Sequence, residues 1–108
     1  MEKKFKVVAL IGSTRHQRYF MSKQKTLTLE GYIVLTPGIF SHAIPDARVT
    51  NNSEIEQMLI EMGKQRIDMA DCVYVVNPDC YIGHHTQLEI DYAKSIGKPI
   101  DYFYTEEN

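Results

Sequence analysis

Phe5-Lys6-Val7-Val8-Ala9-Leu10-Ile11-Gly12-Ser13-Thr14-Arg15 is the stretch on which the fold turns. Residues 5–11 form a continuous β-branched and aliphatic run, the pattern of a strand covered on both faces in a parallel sheet. Gly12-Ser13-Thr14-Arg15 then breaks the run, and Ser13 or Thr14 is placed to accept hydrogen bonds from the orphan amides of a helix start. A helix to about Glu30 follows, with Tyr19, Phe20, Leu27 and Leu29 as its imperfectly spaced apolar residues. Gly31 stands where a left-handed C-terminal cap belongs.

Outward from this first unit the same alternation repeats. Tyr32-Ile33-Val34-Leu35-Thr36 predicts a second strand, stopped by Pro37-Gly38. Residues 39–52, with His42, Pro45, Asp46 and Asn51-Asn52, have no period and predict a loop. Ser53-Glu54-Ile55-Glu56 has the S-x-x-E form of a capping box with Ser53 as the cap, and Ile55, Met58, Leu59 and Met62 continue at helical spacing. Cys72-Val73-Tyr74-Val75-Val76 predicts a third buried strand. After it come a loop from Asn77 to Gly83, a helix over about 86–96 closed by Gly97, and a last strand near 99–103. Strands alternating with helices predict an α/β fold: a doubly wound parallel sheet of about four strands in the order 2-1-3-4, three layers deep, in one domain covering residues 1–108. Ligands of such sheets lie outside the carboxyl ends of the strands.

Composition narrows the function classes. The chain has 108 residues, 44% of them apolar, with four Phe and seven Tyr, enough for one core. A net charge of −2 lacks the basic excess that a nucleic-acid backbone demands, so a small-molecule ligand is expected instead. No apolar run approaches the roughly 20 residues that span a bilayer, and the opening Met1-Glu2-Lys3-Lys4 runs into strand-like sequence rather than a signal-peptide core. No membrane association and a cytoplasmic location are the expectation. Cys72 and Cys80 form no C-x-x-C pair and are expected as reduced thiols.

The loops at the carboxyl ends, Gly12–His16, Pro37–Asn52 and Asn77–His85, hold the candidate site residues. Gly12, Ser13 and Arg15 offer backbone amides, a hydroxyl and a guanidinium to an anion such as phosphate, although an ordinary cap followed by an exposed arginine explains them equally. The P-loop lysine and the G-x-G-x-x-G pattern are both missing. Asp79 and Tyr81 face the expected crevice, whereas Asp71 reads as an acid at a helix end or strand start. Tyr19, Phe20, Phe40 and Tyr81 are candidates to stack on a base or to serve as core. Adjacent His84 and His85 point about 100° apart on a helix and no third ligand is spaced with them, so no metal site is expected. Glu89 lies beside the apolar stripe made with Tyr92, Ala93 and Ile96, an unusual place for a charge. Thr86-Gln87-Leu88-Glu89 is, however, also a T-x-x-E capping box, which would account for Glu89 without chemistry.

These segments together resemble the nucleoside 2-deoxyribosyltransferase-like superfamily, which includes nucleoside 5′-monophosphate N-glycosidases. The resemblance rests on Gly12-Ser13-Thr14-Arg15, on Glu30-Gly31-Tyr32-Ile33-Val34-Leu35, on Asp68-Met69-Ala70-Asp71 and, most specifically, on residues 81–93 with the exit Gly97-Lys98-Pro99. It implies that Glu89 is the nucleophile attacking the anomeric carbon of a nucleoside or nucleotide, with Tyr81 positioning it. It also implies substrate contacts from Ser13 and Arg15, beside the Asp79 that the crevice loop already offers, no cofactor, and a homodimer that pairs its sites. Where transferases of that family carry the aspartate and glycine of a D-x-G-T-x-x-E pattern, this chain has Gly83 and His85, which the resemblance places at the substrate. A non-catalytic nucleotide-binding module of the same fold, or an interaction subunit in which Glu89 is only a cap, are the other functions these residues allow.

Overall fold

The structure is a computed structural model that describes residues 4–40 and 43–103. The elements run β1 (Val7–Gly12), a single 3₁₀ turn (Thr14–His16), α1 (Gln17–Leu29), β2 (Ile33–Leu35), α2 (Ser53–Met69), β3 (Cys72–Val76), α3 (His84–Ser95) and β4 (Ile100–Tyr102). All strand pairs are parallel, in the order β2-β1-β3-β4. The predicted doubly wound α/β sheet is therefore present, with its switch point between β1 and β3, where the chain leaves β1 toward opposite edges.

Side-chain alternation along the strands makes the three layers. Val8, Leu10 and Val76 pack with Phe20 and Leu27 of α1 on one face, and Ile11, Val73 and Val75 pack with Ile67 of α2 and Ile90 and Ala93 of α3 on the other. On α1 only Phe20 and Leu27, two turns apart, are buried, while Tyr19 and Leu29 are exposed. Phe20 is fully buried and meets the Phe40 ring edge-on at 5.3 Å, so of the aromatic candidates it belongs to the core and is closed to a ligand. Val49 is the buried anchor of the loop before α2; His42, named above in that loop, lies outside the described residues.

Two capping expectations are corrected. Helix α2 is capped by Asn52, not Ser53: the Asn52 side chain accepts from the Ile55 amide at 3.1 Å, and Ser53 is already helical. Its inward stripe is Ile55, Leu59, Gly63 and Ile67 rather than one including Met58 and Met62, which are exposed. Helix α3 starts at His84, two residues before its expected start, with Gly83 as a cap residue that offers no side chain. Thr86 is thus a buried third residue of the helix and Glu89 its sixth, too far along to cap anything.

The β1–β3 pair is fastened at both ends. At its amino end Asp71 accepts from the Val7 amide at 2.7 Å and its own amide donates to the Val7 carbonyl at 2.7 Å, so the expected solvated acid is a structural tie. At its carboxyl end Gly12 has φ +149°, and a Cβ there would sit 2.5 Å from the Val76 carbonyl oxygen. Only glycine fits that approach. Gly12→Ala is expected to cost about 2 kcal/mol or more of stability, read as a lowered midpoint in urea unfolding.

Candidate active site

Because β1 and β3 are neighbours in register, Gly12 opposite Val76, the segments leaving them meet above the switch point. The Ser13 hydroxyl accepts from the Arg15 amide at 3.3 Å and so closes the 3₁₀ turn. Arg15 then reaches across to Asp79, Nη2 to Oδ2 at 2.8 Å, and His16 Nε2 stands 3.5 Å from the other Asp79 oxygen. The Asp79 carboxylate also accepts from the Tyr81 amide at 3.3 Å, and the Arg15 guanidinium lies 5.6 Å from the Tyr81 ring centroid. Desolvation lifts the Asp79 carboxyl, but the Tyr81 amide, the His16 charge and Arg15 outweigh it and hold the group below the usual carboxylate range. Ser13, Arg15, Asp79 and Tyr81 are therefore brought together as the sequence suggested, and His16 joins them.

This cluster is poised rather than locked. Arg15 and Asp79 are each roughly half exposed, and an exposed ion pair is worth under about 1 kcal/mol, so an incoming anion competes with Asp79 for the guanidinium at little cost. Tyr81 is 63% exposed, an aromatic ring at the rim. Gly83 has φ −75° and an added Cβ would meet the Tyr81 ring at an ordinary 3.6 Å, so its backbone would tolerate a side chain. His85 is exposed and its ring meets that of His84 at 5.7 Å; among the described residues no group of three His, Cys, Asp or Glu is arranged to hold a metal.

Glu89 sits apart from that cluster, deeper between α2 and α3. Six residues into α3, it lies about 8 Å below the helix start by helical rise, with its side chain tilted back toward the carboxyl-end rim. Its Oε2 occupies the place over Gly63 of α2 where a Cβ would come to 2.5 Å, with Arg66 Nη2 on the same space at 3.7 Å. Desolvation pushes the Glu89 carboxyl up to about 7, and the Arg66 charge opposes that rise. The described contacts of Tyr81 run to Arg15 and Asp79. Gly63 and Arg66 lie outside the loops that hold the sequence candidates. An isolated glycine inside the helical pattern of residues 53–69 is the one signal that could have marked the first of them.

Comparison with protein-family models, with curated proteins and with solved structures returned no match. Among the described residues no helix is long and apolar enough to cross a membrane.

A carboxyl whose folded pKa lies above its unfolded value prefers the protonated form in the fold, so its burial is harmless below about 4.5 and increasingly destabilising up to about 7. Glu89→Gln is accordingly expected to match wild type in urea unfolding near pH 4.5 and to exceed it near pH 8, by up to about 3 kcal/mol.

Proposed function

We propose that this chain cleaves or transfers at the N-glycosidic bond of a nucleoside or nucleoside 5′-monophosphate, with Glu89 as the nucleophile. The observation that carries the reading is a desolvated carboxylate, with no capping role, on the helix that leaves the same loop as Asp79 and Tyr81. A partly desolvated carboxylate is a stronger nucleophile than a fully solvated one. The resemblance of residues 81–93 to the deoxyribosyltransferase-like nucleophile helix supports the same assignment.

In this reading a 5′-phosphate or the sugar takes Arg15 from Asp79, with the Ser13 hydroxyl beside it, and Asp79 is released to accept from sugar hydroxyls. The exposed Tyr81 ring lies against the base or sugar. A Glu89 oxygen attacks the anomeric carbon, and the bond to the base nitrogen breaks with its electron pair leaving on the base, which takes up a proton. Water, or a second base, then attacks the same carbon and frees the carboxylate. No cofactor enters. The same reading includes a homodimer, since β2 and β4 are short edge strands and exposed Met58, Met62 and Met69 line α2; a 12.5 kDa monomer at micromolar concentration in light scattering would contradict it.

One observation favours a second reading. With its carboxyl raised to about 7, Glu89 is partly protonated at neutral pH and able to donate to a ribose hydroxyl, as a nucleotide-binding module without turnover would require. Chromatography of a mixed panel of nucleosides and 5′-monophosphates separates the two. Free base is expected from wild type and none from Glu89→Ala, and kcat/KM is expected to rise as pH passes through about 7, where the carboxylate forms. Thermal stabilisation by an intact ligand, with no base released, would leave the binding module instead.

A further inference from the structure

We propose that Gly63 and Arg66 of α2 are positioning residues for Glu89: Gly63 opens the seat in which the carboxyl group lies, and Arg66 is the positive charge beside that seat. The inference rests on the glycosidic reading only for its effect on turnover; the seat itself is read from geometry. The Glu89 Oε2 and the Arg66 Nη2 flank the same missing methyl, at 2.5 Å and 3.7 Å from where it would stand. Gly63 is buried in the middle of a 17-residue helix, where alanine is the better helix former, so its presence asks for a reason and the carboxylate fills the space it leaves.

Among the described residues, Arg66 is the charged group of α2 that lies beside Glu89. Lys64 and Asp68 of α2 are turned to Tyr92, the ammonium 5.7 Å from the ring centroid and the carboxylate accepting from the phenol. From the sheet the neighbouring layer is Ile11, Val73 and Val75, with Ile100 and Tyr102 behind them, while Asp101 is exposed. On α3 itself His85 is exposed and Asp91 accepts from Gln87. Arg66 is itself half-buried, its guanidinium pushed down by desolvation while the Glu89 charge opposes that shift. An unpaired carboxylate in that seat would be driven to its neutral form and could not attack.

The test titrates Glu89 directly, by carbon NMR of labelled side-chain carboxyls with the resonance assigned from Glu89→Gln, in wild type, Gly63→Ala, Arg66→Gln and Arg66→Lys. The midpoint is expected near 7 in wild type. It should rise in Arg66→Gln and return toward wild type in Arg66→Lys, because the lysine restores the charge. In Gly63→Ala it should fall toward the ordinary carboxylate range, because the added methyl expels the carboxylate to water without harming the helix. Unchanged midpoints in both Gly63→Ala and Arg66→Gln would overturn the seat. On a substrate found by the chromatographic panel, kcat/KM should drop about tenfold or more in both, with the ascending limb of its pH profile following the NMR midpoint in Arg66→Gln. Midpoints that move as stated while no variant, wild type included, releases base would keep the seat and dismiss the glycosidic reading.

Discussion

The parallel pairing of β1 with β3 is the constraint from which the other features descend. Five residues of each strand are in register, from Val8 opposite Cys72 to Gly12 opposite Val76, between a carboxylate tie at Asp71 and a glycine-only approach at Gly12. With β2 on one side and β4 on the other, the pair is covered on both faces, which is why its side chains are nearly all apolar. Its parallel sense makes both strands end at the same edge. Arg15 can meet Asp79, 64 residues away in the chain, for that reason alone.

The same topology decides where Glu89 lies. Helices α2 and α3 share one face of the sheet, packed over Ile11, Val73 and Val75, so a residue on the flank of α3 meets the backbone of α2 rather than solvent. The lower part of that seam is held by polar contacts: Tyr92 donates to Asp68, and the Lys98 ammonium donates to the Asp68 and Ala70 carbonyls. Between this fastening and the rim, a helix glycine leaves just the room a carboxylate needs. The electrostatics of the two levels differ accordingly. At the rim, half-exposed Arg15 and Asp79 form a pair that water and salt weaken and a ligand exchanges readily. At the seam, Glu89 and Arg66 are partly withdrawn from water, so each shifts the other's protonation.

The order of strands and helices, the apolar strands themselves, the Gly31 helix exit and the grouping of Ser13, Arg15, Asp79 and Tyr81 at one edge were all legible in the amino-acid sequence. They follow from local rules: hydrophobic runs, turn residues and the handedness of parallel crossovers. What local rules could not separate were competing short motifs. Ser53-x-x-Glu56 and Thr86-x-x-Glu89 both have the capping-box form, yet one helix begins after Asn52 and the other after Gly83, because burial of Ile67, Thr86 and Ile90 against the sheet sets where each helix must run. A cap is decided by a single hydrogen bond of about 1 kcal/mol, and core packing outweighs it.

By itself, then, the sequence determined the class of fold and the edge at which its polar loops gather, since both depend on patterns within a few residues. Only the tertiary structure decided that Glu89 is no cap and that its partners are Gly63 and Arg66, 26 and 23 positions earlier in the chain. Contacts between two helices laid side by side depend on their relative rotation and on the sheet beneath them. No periodicity within either helix encodes that.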